Sequence, residues 1–316
     1  MAYVNGFLDE LKNISDGIRV LADEPMDGHT TFKVGGPADY FVVPDSVQSV
    51  VDVIRLCKKT GTPCFVIGRG SNLLVTDKGY RGVIVCIYDT LDDVKTEFAG
   101  KSDDSDDEYA IITAGAGIML SKLAKTAAQS ELTGLEFAGG IPGTLGGAVA
   151  MNAGAYGGEI KDCIQSAVVV DDEQNVITLT KEQLELGYRE SIVKQKGYIV
   201  LSATFKLKKG DAAQIIATMN DFNARRRDKQ PLEHPSAGST FKRPEGMFAG
   251  KLIQDSGLAG YRVGGACVSD KHCGFVVNDN GGSAADIMQV IKDVQRTVKD
   301  KFDVELEPEV RIIGEQ

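Results

Sequence analysis

Two glycine-rich segments could hold a large anionic ligand against the protein backbone. The first, Gly68–Leu73, reads Gly-Arg-Gly-Ser-Asn-Leu and follows a short apolar run at 63–67. Consecutive backbone N–H groups in such a turn form a concave site for phosphate oxygens. The second, Phe137–Gly158, has 22 residues without a charge, of which eight are glycine, so a ligand could contact its main chain over a long path. Together with Gly115–Gly117, these segments predict one elongated, phosphate-bearing cofactor. The alternative for the second segment is that its glycines allow close packing of the protein against itself.

Three polar side chains could act on such a ligand or on a substrate. Arg189 could grip a carboxylate through its planar fork, Ser239 follows a glycine in a turn, and Glu309 could act as a general acid near the C-terminus. Each has an ordinary alternative role, as a surface ion pair, a turn cap and a solvated carboxylate respectively. The Gly-x-Ser-x-Gly elbow of hydrolases and the P-loop pattern are absent, and Leu73 stands where a dinucleotide fingerprint has its third glycine.

The composition disfavours several functional classes. The chain has 316 residues and a net charge of -10, which disfavours a nucleic-acid-binding surface. Six cysteines without a CxxC pair and three histidines predict no metal site and fit reduced thiols. Phe137–Gly158 is too rich in glycine for a membrane span, and Met1–Val20 lacks the pattern of a secretion signal. We therefore expect a cytoplasmic protein without nucleic-acid partners or membrane insertion; the sequence fixes no oligomeric state.

Hydrophobic spacing predicts the elements that position these residues. Apolar residues from Phe7 to Leu21 recur at helical spacing, which predicts an N-terminal helix. Short apolar or alternating runs predict strands at 40–43, 63–67, 82–88, 166–170, 176–179, 198–207 and 304–313. Helical spacing predicts further helices after Ser46, around 215–222 and around 287–298. These elements indicate an α+β chain of two folding units that divides near residue 210.

The order of these segments resembles that of the UDP-N-acetylenolpyruvoylglucosamine reductase family, flavoenzymes of bacterial cell-wall precursor synthesis. The resemblance begins at Thr30-Thr31-Phe32-Lys33-Val34-Gly35-Gly36-Pro37-Ala38 and continues through the Gly68 turn. It then follows Ile141-Pro142-Gly143-Thr144, Asn152-Ala153-Gly154-Ala155-Tyr156-Gly157, Tyr188-Arg189, Ala237-Gly238-Ser239 and Pro308-Glu309-Val310-Arg311. Each motif is weak alone, but their common order over nearly the whole chain is specific.

The resemblance implies an α+β fold with a PCMH-type (vanillyl-alcohol-oxidase-like) FAD-binding unit and a smaller α+β C-terminal substrate-binding domain. The boundaries that we expect are an N-terminal helix at 1–29, the FAD-binding unit at 30–209 with subdomains at about 30–95 and 96–209, the substrate-binding domain at 210–303, and a C-terminal strand carrying Glu309 at 304–316. The family implies FAD, reduced by NADPH and reoxidised by the enolpyruvyl ether of a UDP-sugar. No histidine lies near Gly68–Asn72, and Cys64 precedes that turn inside an apolar run, so we expect the FAD to be bound non-covalently.

The same resemblance implies roles for individual residues. Arg189, Ser239 and Glu309 are expected to be catalytic: Arg189 would face the substrate carboxylate, Ser239 would donate a proton, and Glu309 would donate a hydrogen bond if its site keeps it protonated. The expected FAD contacts are Gly68, Arg69, Gly70, Ser71, Asn72, Leu73, Gly115, Gly117, Gly140, Ile141, Pro142, Gly143, Thr144, Gly146, Gly147 and Ala148. Tyr188, Lys229 and Arg311 are expected to bind substrate.

One departure places the chain in the shorter, second subgroup of this family. The first subgroup has an additional substrate-covering loop after the glycine-rich block, and the stretch from Glu159 to Tyr188 has no room for it. The alternative functions are an alcohol or hydroxy-acid oxidase or dehydrogenase on the same flavin fold, a non-catalytic flavin sensor, and a nucleotide-sugar transferase. The combination of Arg189, Ser239 and Glu309 favours the reductase over the first two, and the presence of flavin absorbance in the purified protein would distinguish it from the transferase.

Overall fold

The computed structural model describes residues 6–88, 90–102 and 105–315. Its strands are β1 Arg19–Pro25, β2 Pro37–Val43, β3 Cys64–Ile67, β4 Leu73–Val75, β5 Tyr80–Cys86, β6 Val94–Ser102, β7 Ser105–Gly115, β8 Leu132–Thr133, β9 Gly154–Ala155, β10 Gly158–Glu159, β11 Ile164–Val170, β12 Val176–Thr180, β13 Ile199–Lys209, β14 Arg262–Val263, β15 Ala266–Val268, β16 Val276–Asn278 and β17 Arg311–Ile313. Its α-helices are α1 Phe7–Lys12, α2 Val47–Thr60, α3 Leu120–Gln129, α4 Leu145–Ala150, α5 Ile160–Cys163, α6 Ile192–Lys196, α7 Ala212–Lys229, α8 Ala249–Asp255 and α9 Ala284–Phe302.

The chain forms two compact units, each built from separate stretches of sequence. The first unit comprises Met1–Val20, Val42–Gly68 and Ile84–Arg226, and the second comprises Leu21–Phe41, Arg69–Val83 and Arg227–Gln316. Strands β1, β2, β5 and β3 are neighbours in that order in one four-stranded sheet.

The first unit is organised by an antiparallel sheet with the strand order β12-β11-β13-β7-β6. Ala203 of β13 pairs with Ala114 of β7 on one side and with Ala167 of β11 on the other. Small side chains at these central positions leave room for the helices, and Phe205 and Leu123 are fully buried in the same unit. This sheet positions the glycine-rich segments, because Gly115 ends β7 and Leu145 begins α4.

Helix α2 shows how local sequence fixes an element of this unit. The Ser46 hydroxyl accepts from the Ser49 N–H while the Ser49 side chain accepts from the Ser46 N–H, which is a reciprocal cap. The helix ends at Gly61, whose φ of 66° is left-handed. The predicted helix after Ser46 is therefore confirmed.

The second unit packs α8 and α9 with a small antiparallel sheet of strand order β14-β15-β16. Helix α9 begins at a reciprocal cap between Ser283 and Asp286. Its buried face repeats at the helical period and consists of Ile287, Val290, Ile291, Val294 and Val298. Strand β17 pairs in parallel with β4, with Arg311 opposite Leu73.

Two predicted elements are shorter than expected. The predicted N-terminal helix through Leu21 is wrong beyond Lys12, because polar turn-forming residues follow it and the Ser15 hydroxyl bonds the Asp45 carboxylate at 2.9 Å; residues 1–5 lie outside the described residues. The tail strand is confined to Arg311–Ile313, so Glu309 lies just before it. Pro308, which has no N–H to continue a ladder, makes only an isolated bridge with Phe241.

Candidate active site

Asn72 connects the predicted cofactor turn to the C-terminal segment within the second unit. Its side-chain amide donates to the backbone carbonyl of Glu309 at 3.1 Å. The N–H of Arg311 in turn donates to the backbone carbonyl of Asn72 at 3.0 Å. These two bonds extend the β4–β17 pairing backwards, so the turn from Arg69 to Leu73 and the backbone of Glu309 lie side by side.

Ser239 and Glu309 lie on adjacent backbone segments of this unit. The Glu309 N–H donates to the carbonyl of Thr240 at 2.8 Å, and the bridge between Phe241 and Pro308 continues the pairing. Thr240 is fully buried and accepts from the Val276 N–H at 3.0 Å, which fixes the segment against β16. Ser239 itself is exposed and follows Gly238, whose φ of 76° directs the turn. The structure therefore brings two of the three predicted catalytic residues together.

Arg189 lies in a tight turn of the first unit. Gly187 and Glu190 exchange backbone hydrogen bonds of 3.0 and 3.3 Å across it, and Arg189 has a φ of 57°. A left-handed φ at a non-glycine residue costs free energy and is found often at ligand sites. The Lys194 ammonium donates to the Arg189 carbonyl at 2.9 Å and to the Glu190 carboxylate at 2.7 Å, which holds the turn in place.

Two buried residues anchor this turn, and the sequence analysis assigned no role to either. Asn152 is wholly buried, and its amide donates to the Gly187 carbonyl at 2.9 Å while its oxygen accepts from the Lys161 N–H at 2.9 Å. Ser191, also wholly buried, donates to the carbonyl of Ala150 at the end of α4 at 2.7 Å. Asn152 begins the motif Asn152–Gly157 and Ser191 lies two residues after Tyr188-Arg189, so proximity to these motifs was the available signal.

Replacing Ser191 by alanine is expected to destabilise the first unit by about 1–3 kcal/mol. The change leaves the half-buried Ala150 carbonyl without its donor and removes the N-cap of α6, whose Lys194 N–H donates to Ser191 at 3.1 Å. The measurement is the free energy of unfolding in urea. Ser121→Ala, at an exposed position of α3, is the matched control; equal stabilities of the two variants would contradict the anchoring role.

Several of the expected FAD-contacting glycines are also required by packing. A Cβ atom at Gly115 would overlap the carbonyl oxygen of Leu91, and one at Gly117 would overlap that of Ile87. The Gly146 N–H donates to the Ala116 carbonyl at 2.8 Å, so this amide is already used inside the protein. A Cβ at Gly147, by contrast, would meet no atom within 4 Å. Packing thus accounts for Gly115, Gly117 and the amide of Gly146, while the exposed edge of the second segment around Gly147 is open to a ligand.

One buried cation in the first unit fits an anionic cofactor. Arg226 of α7 is 8% exposed, and its Nε and Nη1 atoms are buried without a hydrogen-bond partner. Its guanidinium lies against Gly140, where a Cβ would overlap Nη1. Burial lowers the pKa of Arg226, and the neighbouring Tyr156 opposes that shift. Buried donors without acceptors, beside a glycine of the predicted cofactor segment, are suited to acidic oxygens of a nucleotide such as FAD.

The three residues expected to bind substrate are accessible. Tyr188 is 50% exposed, with the Arg189 guanidinium 5.2 Å from its ring centroid in the first unit. Lys229 is exposed at the end of α7, and Arg311 is exposed at the start of β17, both in the second unit.

The described residues show neither a membrane-crossing helix nor a metal-binding cluster. Over these residues, every helix is too short or too polar to cross a bilayer. The same residues contain no group of three or more His, Cys, Asp or Glu side chains that could hold a metal ion.

Comparison with known proteins extends these observations to the whole chain. Residues 38–180 match a family model described as an FAD binding domain, and residues 230–313 match one described as the C-terminal domain of UDP-N-acetylenolpyruvoylglucosamine reductase. These matches confirm the expected fold class, a PCMH-type FAD-binding unit followed by a smaller α+β domain.

Full-length relatives carry the same name. A UDP-N-acetylenolpyruvoylglucosamine reductase of Lachnoclostridium phytofermentans is 54% identical over 312 residues, which cover 99% of this chain and 98% of the relative. One of Agathobacter rectalis is 54% identical over 94% of each chain. The crystal structure of UDP-N-acetylenolpyruvylglucosamine reductase from Thermus caldophilus has a TM-score of 0.76 at 31% identity, over 94% of this chain and 99% of that one. The chain therefore belongs to the UDP-N-acetylenolpyruvoylglucosamine reductase family and, with it, to the FAD-dependent oxidoreductases.

Proposed function

We propose that this chain reduces UDP-N-acetylglucosamine enolpyruvate to UDP-N-acetylmuramate with electrons from NADPH. The observation that carries this proposal is the backbone pairing that holds Ser239 beside Glu309, in a chain that matches the family over its whole length. The reaction is a step of peptidoglycan precursor synthesis, and we place it in the cytoplasm, where it serves cell-wall growth, cell shape and division.

When bound and reduced by NADPH, the flavin would supply a hydride for the terminal carbon of the enolpyruvyl double bond. Negative charge then develops on the substrate carboxylate, and stabilising that charge is the main demand on the protein. Arg189 binds the carboxylate oxygens through its two-pronged guanidinium. Glu309, if its site keeps it protonated, donates a hydrogen bond to the substrate. The turn that carries Arg189 is held rigid by Asn152 and Ser191, so the cation is positioned before the charge develops.

Ser239 completes the reaction by donating a proton from its Oγ to the carbon next to the carboxylate. A hydroxyl is a weak acid in water, but it transfers a proton readily to an enolate-like carbon held within hydrogen-bond distance. Tyr188, Lys229 and Arg311 bind other parts of the UDP-sugar in this proposal. Their exposure leaves their side chains accessible to a ligand that enters from solvent.

The FAD is held by Gly68–Leu73, Gly115, Gly117, Gly140–Thr144 and Gly146–Ala148, without a covalent bond. Cys64 is the cysteine nearest in sequence to the first of these segments. Its pKa is raised by a hydrogen bond with Cys57 and by burial, so the reactive thiolate is scarce. We expect acid precipitation of the purified protein to release all yellow colour into the supernatant; a yellow pellet would contradict non-covalent binding.

A spectroscopic titration tests the function directly. The purified protein should show flavin absorbance that NADPH bleaches, and addition of UDP-N-acetylglucosamine enolpyruvate under anaerobic conditions should restore it. A protein that oxygen reoxidises rapidly, and the enolpyruvyl substrate does not, would be an oxidase on the same fold. A protein without flavin absorbance, even after incubation with FAD, would contradict the reductase.

A further inference from the structure

Burial of the Arg226 guanidinium costs free energy that the protein's own groups do not fully offset. Its side chain lies in the first unit on α7 and is 8% exposed, and two of its three nitrogens, Nε and Nη1, have no acceptor. Tyr156 provides one hydrogen bond to the guanidinium, but a charged group removed from water with two of its nitrogens unpaired is still unfavourable. Such an arrangement persists when a ligand supplies the missing acceptors in the working state of the protein.

Gly140 and Tyr156 lie against the buried guanidinium of Arg226 on two sides. Gly140 lacks the Cβ that would overlap Nη1. On another side, the Tyr156 ring centroid is 5.7 Å from the guanidinium carbon, and Tyr156 stacks on Phe222 with 4.7 Å between ring centroids. Tyr156 also has a left-handed φ of 54°, a cost that indicates a position under constraint.

These neighbours connect Arg226 to the cofactor unit. Gly140 and Tyr156 both fall within the FAD-binding match at 38–180, whereas Arg226 follows it by 46 residues and lies outside both matched domains. The FAD-binding match therefore includes Gly140 and Tyr156 but does not include Arg226. The cation is supplied by a helix that neither match includes.

We propose that Arg226 donates hydrogen bonds from Nε and Nη1 to an acidic oxygen of bound FAD. This inference rests on the proposed function, since it takes FAD as the resident cofactor. A cofactor that stays bound through every turnover satisfies the two donors in all working states of the enzyme. A substrate that comes and goes leaves them unsatisfied between turnovers, which makes the UDP-sugar the less suitable partner.

The first test measures how tightly the holoenzyme retains FAD. Dilution of the purified protein releases FAD, and the fluorescence of the released FAD increases. The dissociation constant follows from this fluorescence over a series of dilutions. Arg226→Met should weaken FAD binding by about 10- to 100-fold, the range for loss of hydrogen bonds to a charged group. Arg225→Met is the matched control, because Arg225 is the preceding residue of α7, its side chain is 57% exposed, and it pairs with Asp221 at 2.7 Å. The control should bind FAD as the original protein does.

The second test separates a ligand-binding role from a structural one. Without FAD, Arg226→Met should melt at the same temperature as the original protein or higher, because it removes a buried, unsatisfied charge. With excess FAD, its gain in melting temperature should be smaller than that of the original protein. A folded FAD-free variant that is less stable than the original, and that gains as much in melting temperature from FAD as the original does, would assign Arg226 to folding and overturn the proposal. If Arg226→Met does not fold, Arg226→Lys takes its place in both tests, and FAD binding as tight as the original would overturn the proposal.

The outcomes also identify the partner of the guanidinium. A lower flavin midpoint potential in Arg226→Met, together with weaker binding, places the oxygen on the flavin ring; weaker binding at an unchanged potential places it on the diphosphate. Unchanged FAD affinity with weaker binding of the enolpyruvyl UDP-sugar would overturn the proposal in favour of the substrate. If the original protein retains no FAD, the proposed function fails; if it retains FAD equally with and without Arg226, only this inference fails.

Discussion

Replacing Ser239 by alanine is expected to slow product formation by about 10²- to 10⁴-fold, the usual contribution of a positioned proton donor. NADPH should still bleach the flavin of this variant at the original rate, because the proton is needed only after the substrate has accepted a hydride. Ser239 is exposed at a turn whose neighbours Thr240 and Phe241 hold the fold, so the substitution removes a hydroxyl and little else. Stopped-flow spectroscopy measures the two half-reactions separately.

Two further variants control this experiment. Ser236→Ala changes the same side chain three residues earlier in the same loop and should leave both half-reactions unchanged. Ser239→Cys should retain part of the activity, since a thiol can also donate a proton. Equal losses in both half-reactions of Ser239→Ala would assign the effect to a disturbed fold and remove Ser239 from the mechanism.

The sequence predicted those elements whose signals are local. Helix α2 carries its own cap at Ser46 and its own stop at Gly61, so nothing distant was needed to define it. The N-terminal helix was overextended because apolar spacing past Lys12 matched a helical period, although those side chains belong to a turn and to β1. The tail strand was overextended for a related reason: alternation continues through Glu309, but Pro308 limits the pairing to one bridge.

In the candidate site, too, some residues could be predicted from the sequence and others could not. Motifs indicated Arg189, Ser239 and Glu309 because polar residues in a characteristic order can be recognised in a sequence. The roles of these three residues remain predictions. The sequence did not reveal the supporting residues. Asn152 and Arg226 acquire their significance from burial and from partners far along the chain, at Gly187 and at Gly140. A high density of glycine did not show which glycines face a ligand. The missing Cβ allows close internal packing at Gly117 and leaves open space at Gly147, and the sequence looks the same in both cases.

Substitution of Arg189 should separate the charge of the guanidinium from its shape. Arg189→Met is expected to lower kcat for the enolpyruvyl substrate by about 10²- to 10³-fold, the typical loss when one charge-stabilising group is removed. Arg189→Lys keeps the charge but not the planar fork, so it should fall between Arg189→Met and the original protein. The measurement is single-turnover reoxidation of the prereduced enzyme by the substrate.

The control for these variants is Arg55→Met, which removes an exposed cation of α2 in the same unit and should reoxidise at the original rate. Flavin reduction by NADPH should be equal in all four proteins, because the developing carboxylate charge arises only on the enolpyruvyl substrate. The Arg189 carbonyl accepts from the Lys194 ammonium, and Gly187 and Glu190 pair through their backbones, so a change of the Arg189 side chain leaves that turn in place. A lysine variant as slow as the methionine variant would show that two-pronged geometry outweighs charge, whereas a methionine variant as fast as the original would exclude Arg189 from transition-state stabilisation.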